Sequence, residues 1–266
     1  MQAPFILWDN ILGDSTTLTA STAVTGYSVD NLVDYRTHTF WAGSGATTYT
    51  ISIDLGASSD REANTIGVAA HNLYSIGSTL YIESSSDGAS WVGRATVSCT
   101  SDDPHISTFA AVTARHWRAR INCQATSQPT IGVLSIGTHL NFPTPPIIGT
   151  SPMDQGIEAV SNHSQAGILL GNIIKYHPME SNLAFAYVPT SFFRDATGAP
   201  ANYGVFWRSH GKYLRPFFIA FSQDTYPEHR YYMRLSEKQT YSQPLFDATM
   251  VQNLTLRLIS CLEATT

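Results

Sequence analysis

A chain of 266 residues and 29.1 kDa is long enough for two domains that each bury a core without disulfides or metals. Charged residues make up 13%, Lys175, Lys212 and Lys238 are its three lysines, and the formal net charge is -5, which excludes a surface built to neutralise a nucleic-acid backbone. No apolar run approaches the roughly 18 residues of a membrane helix, and the four apolar residues at 5–8 are too few for an export signal, so no membrane insertion and no signal peptide are expected.

Alternation with a period of two governs the first half. Tyr49, Ile51, Ile53 and Leu55 share one face of a segment whose other face carries Thr50, Ser52 and Asp54, the pattern of a half-buried strand. Further strands are predicted at 65–69, 79–83, 95–99, 116–122 and 132–136, separated by Gly, Ser, Asn and Asp clusters at sandwich-like spacing. Four prolines between Asn141 and Pro152 mark the boundary, giving domains 1–142 and 153–266 with a Pro-rich linker at 143–152. A soluble monomer is expected of the first domain alone.

Strands are read again at 156–161, 165–176, 182–188, 204–208, 216–221, 230–235 and 253–262, with a short helix at 190–196 capped by Thr190 or Ser191 and docked through Phe192 and Phe193. The fold class is therefore all-β, the second half forming a β-rich sandwich or barrel. Cys99, Cys123 and Cys261 have no metal-type spacing. They read as buried free thiols, with a Cys99–Cys123 pair as the alternative.

Four motifs in series carry a family resemblance across residues 15–140. Ser28-Val29-Asp30-Asn31-Leu32-Val33-Asp34 leads to Thr39-Phe40-Trp41 and then to a strand ending Asp54-Leu55-Gly56. Ser84-Ser85-Ser86-Asp87-Gly88-Ala89-Ser90-Trp91, Ala114-Arg115-His116-Trp117-Arg118 and the run from Ile131 to Gly137 follow in order. This series resembles the discoidin (factor V/VIII type C, galactose-binding-like) domain, which implies an antiparallel jelly-roll sandwich. Trp41 and Trp91 are expected in its core with Ile53, Leu55, Ile82 and Ile121, and Asp87-Gly88 is expected to form a turn. In that family the loop at 30–39 often holds calcium. Here Tyr35-Arg36 replaces an acidic neighbour, so no metal is expected and Asp34 stays the one candidate ligand.

No phosphate-binding, acyl-transfer, zinc-hydrolase or dinucleotide motif occurs, and the nine histidines have no ligand-like pairing, so neither an enzyme nor a cofactor is expected. Residues 69–80, with His71-Asn72-Leu73-Tyr74, are similar to a segment of phage virion proteins, and the C-terminal half loosely resembles distal-tail proteins. The aromatics there, among them Tyr203, Phe206, Phe217, Phe218 and Tyr232, suggest a subunit interface. The resemblance implies a structural subunit of a bacteriophage tail tip or baseplate, located in the virion, whose partners are other tail proteins and copies of itself in a ring. The alternative is a carbohydrate-binding, lectin-like protein recognising a cell-surface glycan through Tyr27, Tyr35, Arg36, His38, Asn72 and Tyr74.

Overall fold

The computed structural model describes residues 3–15, 17–124, 127–147, 153–194, 200–222, 226–241 and 252–261. In chain order the first strands are β1 (Phe5–Leu7), β2 (Thr17–Ala20), β3 (Trp41–Ala42), β4 (Thr48–Asp54), β5 (Arg61–His71), β6 (Thr79–Ser85), β7 (Val92–Val97), β8 (His105–Ala114), β9 (His116–Asn122), β10 (Thr130–Gly137) and β11 (His139–Asn141). There follow β12 (Asp154–Gln155), β13 (Glu158–His163), β14 (Leu169–Tyr176), β15 (Met179–Val188), the helices α1 (Thr190–Phe193) and α2 (Tyr203–Ser209), then β16 (Phe217–Ala220), β17 (Arg230–Leu235) and β18 (Gln252–Ser260). Much of the linker expected at 143–152 lies outside the described residues, as does the end of the predicted 190–196 helix. Among the described residues no helix is long and apolar enough to cross a membrane.

An antiparallel jelly-roll sandwich is formed by a five-stranded sheet, β2-β4-β9-β6-β7, and a four-stranded sheet, β3-β10-β5-β8. In β4 Tyr49, Ile51 and Ile53 point inward, opposite Ile121, Ala119 and Trp117 of β9, because one face of this sheet meets solvent. Trp41, Ile53, Leu55, Ile82 and Ile121 lie in the core as expected. Trp91 does not. It precedes the edge strand β7, is half-buried, and lies under the Arg118 guanidinium at 4.2 Å, while Trp117 occupies the core and its indole N–H donates to the Ala114 carbonyl.

A seven-stranded sheet takes strands from both sides of the boundary expected at residue 142, in the order β11-β1-β16-β17-β18-β15-β12, and β13 and β14 form a two-stranded sheet of their own. β1 is interior to it, with Ile6 opposite Leu140 on one side and Ile219 on the other. Alternation along β1 and β16 sends Ile6, Phe217 and Ile219 to one face, and Phe5, Leu7, Phe218 and Ala220 to the other. This second face packs on the outside of the four-stranded sheet, against Ala69, Ile106 and Val133, and makes a third layer. The fit is close: a Cβ on Gly67 would stand 2.6 Å from the Phe218 ring. Covered on both faces, β10 is buried from Ile131 to Gly137 without alternation.

The outer face is closed by α1 and α2, which bring Phe192, Phe193, Tyr203 and Phe206 onto Phe142, Phe185 and Phe217. Residues 204–208, read as a strand from their apolar content, are helical because the Asn202 Oδ1 accepts the Gly204 and Val205 N–H groups and caps the first turn. At α1 the capping position is taken by Pro189 and not by Thr190 or Ser191. Most aromatics of the C-terminal half are thus core and not interface, although Tyr213 and Tyr226 are exposed. All three cysteines are free and half-buried, and burial pushes the Cys99 and Cys261 thiols up to about 11.

Two imidazoles stand where the layers meet. His210 is buried between Trp8, Tyr35 and Phe206 and donates from Nε2 to the Pro216 carbonyl; His105 accepts from Arg230. Burial is the main cause that pushes both down to about 4, and neighbouring arginines add to it. An unfolded imidazole takes its proton near pH 6.5, so between pH 6.5 and about 4 the unfolded chain binds more protons. Stability should therefore be lost as pH falls through that window, by on the order of 3 kcal/mol for His210. Urea titrations at pH 7 and pH 4.5 would measure it, and His210→Gln should flatten the dependence.

Candidate functional site

Antiparallel pairing fixes which loops share an end of the sandwich. Thr48 is opposite Asn122 and Asn122 opposite Thr79, while Ile131 lies between Trp41 and His71, so residues 21–27, 43–47, 72–78, 98–104, 123–124 and 127–129 gather at one end. Their backbones are tied together by side chains. Asn72 donates to the Gln128 carbonyl at 3.0 Å and accepts the Thr130 N–H at 2.8 Å, and the Tyr49 hydroxyl donates to the Ser127 carbonyl.

The 72–78 loop is held most firmly. His71, whose pKa is lowered by burial, accepts the Leu73 N–H at Nδ1 and donates from Nε2 to the Asp103 carbonyl. Asp102 accepts the N–H groups of Tyr74 at 2.9 Å and Ser75 at 3.2 Å, and its second oxygen accepts the Ser75 hydroxyl. The turn closes through Gly77, with φ +60, whose N–H donates to the Tyr74 carbonyl; Gln124 lies beside it. The result is an aromatic ring, Tyr74, that is 56% exposed on a loop that does not have to order itself to bind. Tyr27 is exposed at the same end and stacks on Phe40 with centroids 4.6 Å apart.

The six candidate residues divide. Tyr27, Asn72 and Tyr74 come to this end. Tyr35, with φ +64, turns toward the seven-stranded sheet, where it meets His210 and Arg215 and its carbonyl accepts the Tyr232 hydroxyl. Arg36 and His38 are exposed on the intervening loop. The Asp34 carboxylate closes that loop, accepting the Arg36 N–H at 2.8 Å and the Thr39 hydroxyl at 2.6 Å. Among the described residues no three His, Cys, Asp or Glu side chains converge as metal ligands. In the sequence Asp102-Asp103-Pro104 reads as a turn, and nothing there shows that Asp102 supports the neighbouring loop.

A family model described as the N-terminal domain of the uncharacterised protein YqxG matches residues 9–136. The match covers the sandwich and leaves out β1 and β11, the two strands that the seven-stranded sheet takes from this half. No curated relative matches the chain. Among solved structures it is similar to the CBM32 of AlyQ in complex with 4,5-unsaturated mannuronic acid, at 24% identity and TM-score 0.39 over 46% of this chain and 94% of that one. It is similar also to chitosan-binding module 1 of a Paenibacillus sp. IK-5 chitosanase/glucanase, at 19% identity and TM-score 0.39 over 48% and 98%. A third is CpGH89CBM32-5 of Clostridium perfringens in complex with GalNAc-β-1,3-galactose, at 14% identity and TM-score 0.42 over 48% and 99%.

Other polar features are separate from the loop end. On the outer face of the five-stranded sheet Glu83 holds Arg118 at 2.7 Å and Arg120 at 2.9 Å, and Arg120 covers Tyr81. Asp54 accepts two bonds from Arg115 and one from the Gly56 N–H, which hold its carboxyl down at about 2. A groove of about 560 Å³ crosses the seven-stranded sheet between Glu180, Asn182, Glu237, Lys238, Thr255 and Arg257.

Proposed function

We propose that the chain is a non-catalytic carbohydrate-binding protein whose jelly roll meets a glycan at the loop end, with Tyr74 as the stacking platform and Tyr27 as a second apolar contact. The observation that carries this reading is the exposed Tyr74 ring on a backbone fixed by Asp102. A sugar ring presents C–H faces to an aromatic side chain and hydroxyls to neighbouring amides and carbonyls. Rigid support reduces the ordering cost of a weak contact. The reading involves no chemical step and calls for no cofactor.

A glycan array followed by calorimetric titration of the best oligosaccharide tests it. Tyr74→Ala should weaken binding about tenfold, equivalent to roughly 1.4 kcal/mol, with the melting temperature unchanged. Arg257→Ala, in the separate groove, should leave affinity as it was. Absence of binding to any oligosaccharide, or equal losses from both variants, defeats the assignment.

A second reading, a structural subunit of a bacteriophage tail tip or baseplate carried in the virion, is favoured by one observation: an apolar β-ribbon, β13–β14, extends from the sheet edge into solvent. In that setting the sandwich would be peripheral and the ribbon would meet tail proteins or further copies of the chain.

A further inference from the structure

His71 ends β5 with its side chain wholly buried, and the backbone is strained to put it there. Ala70, at φ +52, lies in the left-handed region that favours glycine and interrupts the alternation of the strand. Ala69 faces the third layer, and regular alternation would send His71 to the same side. It stands instead opposite Ile131 of the sandwich core, at the foot of the 72–78 loop. Strained backbone that its surroundings hold in place collects at functional sites.

Both ring nitrogens of His71 are committed, and the commitments fix the tautomer. Nδ1 accepts the Leu73 N–H at 3.2 Å and so carries no hydrogen, while Nε2 donates to the Asp103 carbonyl at 3.0 Å. A second proton has to go on Nδ1. The Leu73 N–H would then face another donor, and an acceptor for the new N–H stands 3.8 Å away at Asp102 Oδ1. That same oxygen accepts the Tyr74 and Ser75 N–H groups that hold the loop. One proton therefore removes the Leu73 bond and competes for the two bonds beside it.

The groups around the ring set the direction. Burial opposes the proton most strongly, Asp102 and Asp103 of the 98–104 loop favour it, and the balance leaves His71 below an ordinary imidazole. His105 of β8, with Arg230 of β17 bonded to it, also faces the ring; burial first and then Arg230 hold His105 down to about 4, so it is still neutral well below pH 6.5. The paired strand β10 contributes Ile131 and no charge. A group that takes its proton less readily with the loop closed than with it open must, by linkage, favour the open loop once protonated. Closure is complete above the ordinary imidazole value and is lost as pH falls through the lowered value of His71.

We propose that His71 is a proton-operated latch on the loop that carries Tyr74, closed at neutral pH and released in acid, so that a bound glycan is let go on acidification. Release of a ligand rests on the glycan reading above; release of the loop does not. Since one proton governs the competent state, affinity should fall about tenfold for each pH unit below the His71 midpoint.

The test uses the full chain, first without ligand. The ring nitrogens of His71 are followed by NMR from pH 7.5 to 4.5, and protection of the Leu73, Tyr74 and Ser75 amides is measured at the same points. These three amides should lose protection as His71 gains its proton, while those of Ile51 and Ile121 in the core strands keep theirs. Asp102→Asn preserves an acceptor for the loop but removes the charge that attracts the proton, so it should move the His71 midpoint to lower pH. His71→Asn offers an oxygen to Leu73 that takes no proton in this range, and it should abolish the change. A glycan array read at pH 7.5 and at one unit below the measured midpoint supplies the ligand arm, with signals that fall for wild type and hold for His71→Asn. Loop amides that stay protected through the titration, a midpoint that Asp102→Asn does not move, or array signals equal at both pH values overturn the proposal. An array silent at both pH values defeats the glycan reading by itself, and the amide protection still decides the latch.

Discussion

A fragment ending at Phe142 should aggregate instead of giving the soluble monomer that the Pro-rich boundary suggests. Its truncation removes β16, the strand that pairs with β1 residue for residue, from Phe5 with Ala220 to Leu7 with Phe218. Ile6, Leu140 and Phe142 then lose Phe185, Phe217 and Ile219, while Phe5, Leu7, Ile106 and Val133 lose Phe218, Ala220 and Tyr232. Each such side chain is worth roughly 1.5–3 kcal/mol when fully buried, so both faces of β1 and the outside of the four-stranded sheet become a large apolar surface. Light scattering and binding of a hydrophobic dye will report it. A monodisperse fragment with a cooperative melt would show that the sandwich stands without its third layer.

Trp41→Ala should cost about 3–5 kcal/mol, the range for emptying a buried aromatic site. Trp41 is wholly buried, meets Tyr49 edge to face with centroids 6.1 Å apart, and donates from its indole nitrogen to the Thr22 carbonyl at 3.0 Å. The variant loses packing and also leaves that carbonyl without its partner. Trp91→Ala provides the contrast. It removes a half-buried ring from under the Arg118 guanidinium, a contact worth about 1 kcal/mol. Urea midpoints of the two variants should differ clearly; equal losses would place Trp91 in the core after all.

The two tryptophans mark one success and one failure of sequence reading, since Trp41 lies in the core and Trp91 does not. Strand β4 was legible because its sheet has one wet face, so Tyr49, Ile51 and Ile53 alternate with polar residues. β10 has no such signature because the third layer covers its other face, and β1 and β11, three residues each, are too short to show any period. The helix at Tyr203–Ser209 was hidden by its aromatic content, although Asn202 stood before it as a cap. For the site, residue type alone suggested Tyr27, Asn72 and Tyr74, and strand pairing brings them to one end. Tyr35 belongs to a different surface because a left-handed backbone at that residue turns it toward the other sheet. The ribbon is read correctly as strands at 156–161 and 165–176, but its exposure is not legible, since burial depends on neighbours that a single sequence does not display.

The interior place of β1 also orders events in time. Phe5–Leu7 leave the ribosome before either neighbour: β11 follows more than 130 residues later and β16 about 210 residues later. At roughly 5–20 residues per second, the second neighbour arrives some 10–40 seconds after β1 is made. The sandwich at 9–136 can close during that delay, while β1 waits as an apolar overhang. Completion of the last sheet is what captures it, so a strand synthesised before the sandwich finds its place after it.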